Sequence, residues 1–251
     1  MFLSLRSDMF TKPSFTHLGK KIESKVRKAL LKHSLLEGAQ GICVALSGGK
    51  DSLTLLLMLK AILGKGIPQL PLHAIHVRGE FSCGPSMQEG WVRHLCDTLD
   101  VSLTVLDSTQ KRETLNCYRC SRERRGLIFE AAKQLKAPLV AFGHHREDTI
   151  QTLLLNLFHK GEFAANLPKV PMHAYGVTII RPLIYVSEQE IYAFAKLQGF
   201  ARITCQCPIG TESKRMEVKR LLKEIAHSFP NVAANLAHAA EYYGSDKALS
   251  K

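Results

Sequence analysis

The stretch ICVALSGGKDSLTLLLMLKAIL, residues 42–63, constrains the fold more than any other part of the chain. Ile42 to Leu46 is a short apolar run of strand type, and Leu53 to Leu63 is an apolar helix. The turn between them holds two glycines, so a strand runs through a tight turn into a helix that is buried on most sides. Such a unit is stable only inside a layered α/β domain. Further along, Leu72 to Val77, Val101 to Leu106, Ala137 to Gly143 and Val177 to Leu183 read as strands. Helical patterns lie between them, with a Ser86/Glu89 capping box, at Leu127 to Leu135 and at Asp148 to Phe158. A second capping box, Ser187 with Glu190, opens a helix that ends near Gly199. The expected fold is therefore α/β, a doubly wound parallel sheet with flanking helices and right-handed crossovers. Its ligands belong beyond the C-terminal strand ends, where the strand order reverses. Lys160 to Tyr175 has two prolines and no period and is expected to be a long loop.

His17 to Leu36 is amphipathic with a basic outer face and is expected as an N-terminal helical arm over 1–36. The main domain then spans 37–200, and 201–251 carries a cysteine motif and helices. The chain has 251 residues and a formal net charge of +12, which favours polyanionic partners such as nucleic acid through counterion release. Basic runs lie at Lys20 to Lys32, Lys111 to Arg125 and Lys214 to Lys223; each taken singly reads as a solvated helix face. Seven cysteines, an odd number, argue against a disulfide scaffold and for a reducing, cytoplasmic setting. No segment reaches the roughly 20 apolar residues that a bilayer span requires, so no membrane partner is expected.

The turn Ser47-Gly48-Gly49-Lys50-Asp51-Ser52 suits phosphate. Glycines let the backbone approach phosphate oxygens, helix amides and Lys50 supply positive charge, and Ser47 and Ser52 add hydroxyl donors. It is not a Walker A loop, because Asp51 follows the lysine where Ser or Thr would stand. A carboxylate beside phosphate calls for a shared magnesium ion. A plain glycine-rich turn accounts for Gly48 and Gly49 but not for Lys50 and Asp51 together. In this strand, loop and helix context SGGKDS resembles the signature of the PP-loop ATP pyrophosphatases, which split ATP to AMP and pyrophosphate while adenylating an oxygen. GHHREDTIQTLLLNLF, Gly143 to Phe158, is similar to a second motif of that family. The resemblance implies ATP binding by Gly143 and His144 as well as the loop, catalytic roles for Lys50 and Asp51, and magnesium between Asp51 and Asp148. Asp148 also suits the role of a plain helix cap.

Cys117 and Cys120 form C-x-x-C, and Cys205 and Cys207 form C-x-C far downstream. Alone, these pairs suit a structural zinc site, a redox dithiol or iron–sulfur ligands. Cys43, Cys83 and Cys96 read as packing residues or residues without a role. CYRCSRERRG, GHHRED with TLLLNLF, and IRPLIYVSEQEI together resemble the tRNA 2-thiocytidine synthetase family over most of the chain. Glu147 stands where that family usually has Asp. The resemblance implies ATP-dependent thiolation of an anticodon-loop cytidine, and a 4Fe-4S cluster held by Cys117, Cys120 and one of Cys205 and Cys207, with Cys207 favoured. It also implies tRNA as a partner, contacted by Arg119, Arg122, Arg124 and Arg125, and a sulfur donor such as a cysteine desulfurase; it leaves a homodimer open. Thiolation of a uridine, lysidine-type amination, and a nucleotide-binding module with structural zinc remain alternatives at this level.

Overall fold

The computed structural model describes residues 16–79, 87–110, 117–201 and 214–244. Cys83, Ser86, Cys205 and Cys207 lie outside the described residues. The elements in chain order are α1 (His17–Lys32), β1 (Ile42–Ala45), α2 (Lys50–Ile62), β2 (Leu72–Arg78), α3 (Met87–Thr98), β3 (Ser102–Asp107) and α4 (Cys117–Gln134). They continue with β4 (Leu139–Ala141), α5 (Arg146–Lys160), β5 (Lys169–Met172), β6 (Val177–Ile180), α6 (Glu188–Leu197), α7 (Lys214–Ser228) and α8 (Val232–Tyr243).

The described strands form a six-stranded sheet in the order β3-β2-β1-β4-β6-β5. Every pairing is parallel except β5 with β6, which is antiparallel at the edge. That edge departs from the expected loop over Lys160 to Tyr175, because KVPM pairs with VTII through residues that have no local periodicity. Pro171 is tolerated there because an edge strand leaves one row of amides unpaired. The chain leaves β1 for β2 and β3 on one side and returns to β4 on the other. The reversal therefore falls between β1 and β4, where a doubly wound sheet opens its ligand crevice.

Side-chain alternation along β1 builds the two faces. Ile42 and Val44 join α1, α2, α3 and α6 in one core through Ile22, Leu56, Val92 and Phe194. Cys43 and Ala45 turn to the other face, where Ile128, Phe129 and Ala132 of α4 cover Ile75, Val140 and Ile179. α1, from the segment expected as an arm, buries Ile22, Val26 and Ala29 completely in the first core. A third, smaller core joins Val218 and Leu222 of α7 and Leu236 of α8 to Ile150 and Leu154 of α5.

The capping box at Ser187 forms as its spacing predicts, with the Glu190 amide donating to Ser187 Oγ and Glu190 accepting in return. Glu190 also accepts from Lys25 at 2.7 Å, which ties α1 to α6. Burial alone would raise its pKa, but Lys25 and the Ser187 groups outweigh that and hold the carboxyl at about 2. α4 starts at Cys117, well before the expected Leu127, so CYRC forms its first turn. Arg and Glu are good helix formers, and no apolar period is required for a helix held by its C-terminal half.

Candidate active site

The phosphate loop leaves the C-terminal end of β1 and closes on itself. Ser47 Oγ lies 3.1 Å from Ser52 Oγ, the Gly49 amide donates to Ser47 Oγ at 3.3 Å, and Ser52 Oγ donates to the Gly49 carbonyl at 3.0 Å. Gly48 has φ +82°, a left-handed conformation that an L side chain strains. Gly49 is the N-cap of α2 and provides no side-chain cap, so the first amides of the helix face the crevice with the positive end of its dipole. α2 begins earlier than the expected Leu53, which places Lys50 and Asp51 in its first turn. Lys50 Nζ pairs with Asp51 at 2.9 Å and approaches Glu188 of α6 at 3.8 Å.

Gly143, at the end of β4, abuts this turn. A Cβ placed there would lie 3.0 Å from the Asp51 carbonyl carbon and from the Ser52 amide nitrogen. The neighbour is backbone and cannot swing aside, so Gly143→Ala is expected to destabilise the protein by about 1–3 kcal/mol and to displace the loop. The check is a denaturant unfolding midpoint measured beside ATP affinity, and an unchanged pair of values would refute the close approach.

The N-terminus of α5 gathers the acidic groups. His145 is its N-cap, and Asp148 Oδ2 accepts from the His145 amide at 3.0 Å, so Asp148 does cap the helix. His145 Nε2 lies 3.5 Å from Asp148 and 3.9 Å from Asp51, and Nδ1 lies 3.2 Å from Glu147. Burial opposes a charge on this imidazole, but Glu147, Asp148 and Asp51 outweigh it and raise its pKa. The two aspartates thus approach the same imidazole nitrogen from separate helices. Glu147, with its longer arm, accepts from the Glu188 amide at 2.7 Å and docks α6 against α5. Burial is opposed there by His145, the Glu188 amide and Arg146, which hold its carboxyl at about 2. His144 stacks on Phe142 and accepts from Arg181 Nε at 3.3 Å. Burial and the adjacent Arg181 lower its pKa and keep it neutral.

α4 forms the opposite wall. A cavity of about 690 Å³ is bounded by Ser47, Asp51, Ser52, Gly143, His144 and Asp148 on one side and by Cys120, Ser121, Arg124 and Arg125 on the other. The expected RNA-binding arginines therefore divide: Arg124 and Arg125 line the cavity, whereas Arg119 and Arg122 are exposed outside its lining. Arg124 Nε is buried with no hydrogen-bond partner, so this wall holds a donor without an acceptor. Glu123 anchors the helix by accepting from the Thr109 amide at 2.7 Å and from Ser108 Oγ at 3.2 Å. Cys117 is the first residue of α4. Cys43 and Cys96 are fully buried, and burial pushes their thiols up to about 12 and about 11, as suits packing residues.

Asn166, Arg181 and Arg215, none of them among the expected site residues, also line the cavity. Asn166 lies in the stretch expected as a loop and donates to Thr152 Oγ1 at 3.1 Å. Arg181 stands in IRPL, where only its place in a strand was legible. Arg215 stands in the basic run of α7, which read as a solvated face; its Nη1 lies 3.2 Å from Asp148 Oδ1. Lys219 in the same run pairs with Glu188 at 2.7 Å.

Residues 18–205 match the PP-loop domain family. A tRNA-cytidine(32) 2-sulfurtransferase of Syntrophotalea carbinolica is 33% identical over 230 residues, covering 88% of each chain. Those of Geobacter sulfurreducens and Francisella philomiragia subsp. philomiragia are 33% and 31% identical, each again covering 88% of both chains. Among solved structures, the U34-tRNA thiolase NcsA from Methanococcus maripaludis with its 4Fe-4S cluster superposes with a TM-score of 0.71. At 23% identity, over 88% of this chain and 78% of that one, this likeness shows the fold. With SGGKDS on the β1 turn, GHHRED on the β4 turn and CYRC opening α4 across one cavity, the chain belongs to the PP-loop ATP pyrophosphatases and, within them, to the tRNA 2-thiocytidine synthetase family.

Proposed function

We propose that this protein is an ATP-dependent tRNA sulfurtransferase that adenylates the 2-oxygen of an anticodon-loop cytidine and replaces it with sulfur. One observation carries the reading. The phosphate loop and Cys120 face each other across a single cavity, so the place where ATP would activate the base and the cysteine that would help to present sulfur to it share one space. Sulfurtransferase relatives over most of the chain supply the substrate class.

The residues present fit the two inorganic groups. Asp51 and Asp148 are hard oxygen donors that both line the cavity, and among the described residues no three acidic, His or Cys groups cluster into a complete cage. Magnesium uses one or two carboxylates together with substrate phosphates, which is the set available here. When bound, it spreads the charge that develops on the leaving pyrophosphate. Cys117, Cys120 and Cys207, with Cys205 as the other candidate, would hold the 4Fe-4S cluster. Cys120 already lies on the cavity wall with Arg124 and Arg125. When bound, the cluster offers an iron open to sulfur.

The chain's own groups do the rest. The α2 amides, Ser47 and Ser52 receive the phosphates, and Lys50 follows charge onto the pyrophosphate. The cytidine O2 attacks the α-phosphorus and pyrophosphate departs. Sulfur from a donor, such as a cysteine desulfurase, then forms the C2–S bond while the C2–O bond breaks, and AMP leaves with the former base oxygen. His144, held neutral, stays a hydrogen-bonding group and adds no charge. A single-stranded loop suits the chemistry because its bases can splay into a pocket. A tRNA substrate supports a cytoplasmic setting; no described helix is long and apolar enough to cross a membrane.

Incubation with ATP, a tRNA transcript and a sulfide source is expected to give AMP, pyrophosphate and a thiolated cytidine. Release of ADP and phosphate, or a protein that holds zinc alone after anoxic purification, would overturn the reading. Arg124 and Arg125 lie at the cavity, so neutralising both is expected to weaken tRNA binding and to flatten its salt dependence by about one to two phosphate contacts. The check is a titration at several salt concentrations, and a slope equal to that of the unaltered protein would exclude a backbone contact at either arginine.

A further inference from the structure

Arg215 enters the site from the far end of the chain. It sits in the first turn of α7, about half exposed, with its Nη1 3.2 Å from Asp148 Oδ1. Its position is set by the helix that bears it. Val218 and Leu222 sit in the core with Ile150 and Leu154 of α5, and Lys219 pairs with Glu188 at 2.7 Å. Residues 215, 218, 219 and 222 share one helical face, whereas Arg220 and Lys223 are exposed. A cation in the first turn also faces the positive end of the helix dipole, which makes an anionic partner more valuable to it.

Each aspartate at the phosphate loop has a cation of its own. Lys50 pairs with Asp51 at 2.9 Å, and Arg215 pairs with Asp148 at 3.2 Å. The other oxygen of Asp148 accepts from the His145 amide at 3.0 Å. Asp148 therefore presents Oδ1 to an incoming cation only if Arg215 withdraws from it. ATP entering with a divalent cation brings both halves of an exchange: a metal for the carboxylate, and phosphate oxygens for the guanidinium. The planar fork of arginine matches phosphate geometry, and the anchored helix keeps Arg215 at the cavity wall when the carboxylate is taken.

We propose that Arg215 is an ATP-phosphate-binding residue, which releases Asp148 as nucleotide and metal enter and takes up an oxygen of the phosphate chain. This rests on the reading of the cavity as the ATP site. α7 directly follows residues 202–213, which include Cys205 and Cys207, so the exchange links nucleotide occupancy to the helix adjoining those cysteines.

The test is calorimetric binding of α,β-methylene-ATP with magnesium to the full chain, without tRNA. Arg215→Ala is expected to weaken binding roughly ten- to a hundredfold, the range for one charge-assisted phosphate contact. Arg215→Lys should recover part of the loss, having the charge without the fork, and Arg220→Ala should leave affinity unchanged. Circular dichroism of each variant separates a lost contact from a lost helix. Equal or tighter binding by Arg215→Ala would mean that the arginine only neutralises Asp148, and would overturn the proposal while leaving the ATP reading intact. An unaltered protein that fails to bind the analogue would overturn both.

Discussion

Lys50→Ala and Asp51→Ala are each expected to abolish measurable formation of AMP and pyrophosphate in a protein that stays folded. Both side chains stand in the first turn of α2, partly exposed, Asp51 on the cavity lining and Lys50 beside it, and neither belongs to a hydrophobic core. Asp51 at 2.9 Å and Glu188 at 3.8 Å hold the Lys50 ammonium in place beside the loop where the phosphates are proposed to bind. Removing one preorganised electrostatic donor from a transition state costs about 3–4 kcal/mol, a rate loss on the order of a hundred- to a thousandfold. Asp51→Ala carries a second consequence, because it removes one of the two carboxylates proposed to hold magnesium. The products from labelled ATP, resolved in the presence of tRNA, give the answer, with thermal unfolding as the control. A variant that unfolds with the unaltered protein's midpoint and still makes pyrophosphate at its rate would remove Lys50 or Asp51 from the chemistry.

The second large effect is expected at the cysteines. Cys117→Ala, Cys120→Ala and Cys207→Ala should each lose iron, acid-labile sulfide and single-turnover thiolation after anoxic purification, while binding of an ATP analogue persists. The separation of effects follows from the cavity: Cys120 lies on the α4 wall, across from Ser47, Asp51 and Ser52 of the loop proposed to receive phosphate. Cys43→Ala and Cys96→Ala should keep their iron, because both thiols are buried in the cores and are held protonated by burial. Cys207 is favoured over Cys205 because it directly precedes Pro208 in the sequence, and because the later cysteine is the ligand in the family the sequence resembles. Retention of the cluster by Cys207→Ala together with its loss from Cys205→Ala would reverse that choice without touching the mechanism. Thiolation by all four single variants would remove the cluster from the reaction.

What the sequence by itself determined is what neighbouring residues decide among themselves. The apolar run before Ser47, the glycine turn and the apolar helix beyond it specify a strand, a phosphate loop and a buried helix, and the Ser187/Glu190 spacing specifies a cap. Each depends on contacts within a few residues, so each is written as a period or a motif. Only the tertiary structure decided the rest. β5 exists because Lys169–Met172 pairs with Val177–Ile180 at a sheet edge, and a strand with a proline and no alternation gives no local sign of it. The polar first half of α4 looks like a solvated run, yet the helix turns Cys120, Arg124 and Arg125 inward and leaves Arg119 and Arg122 outside. Arg215 meets Asp148 from 67 residues away because α7 packs on α5 through Val218 and Leu222. A charge run carries no record of which of its members will find a partner, since that is fixed by which helix face an apolar core buries.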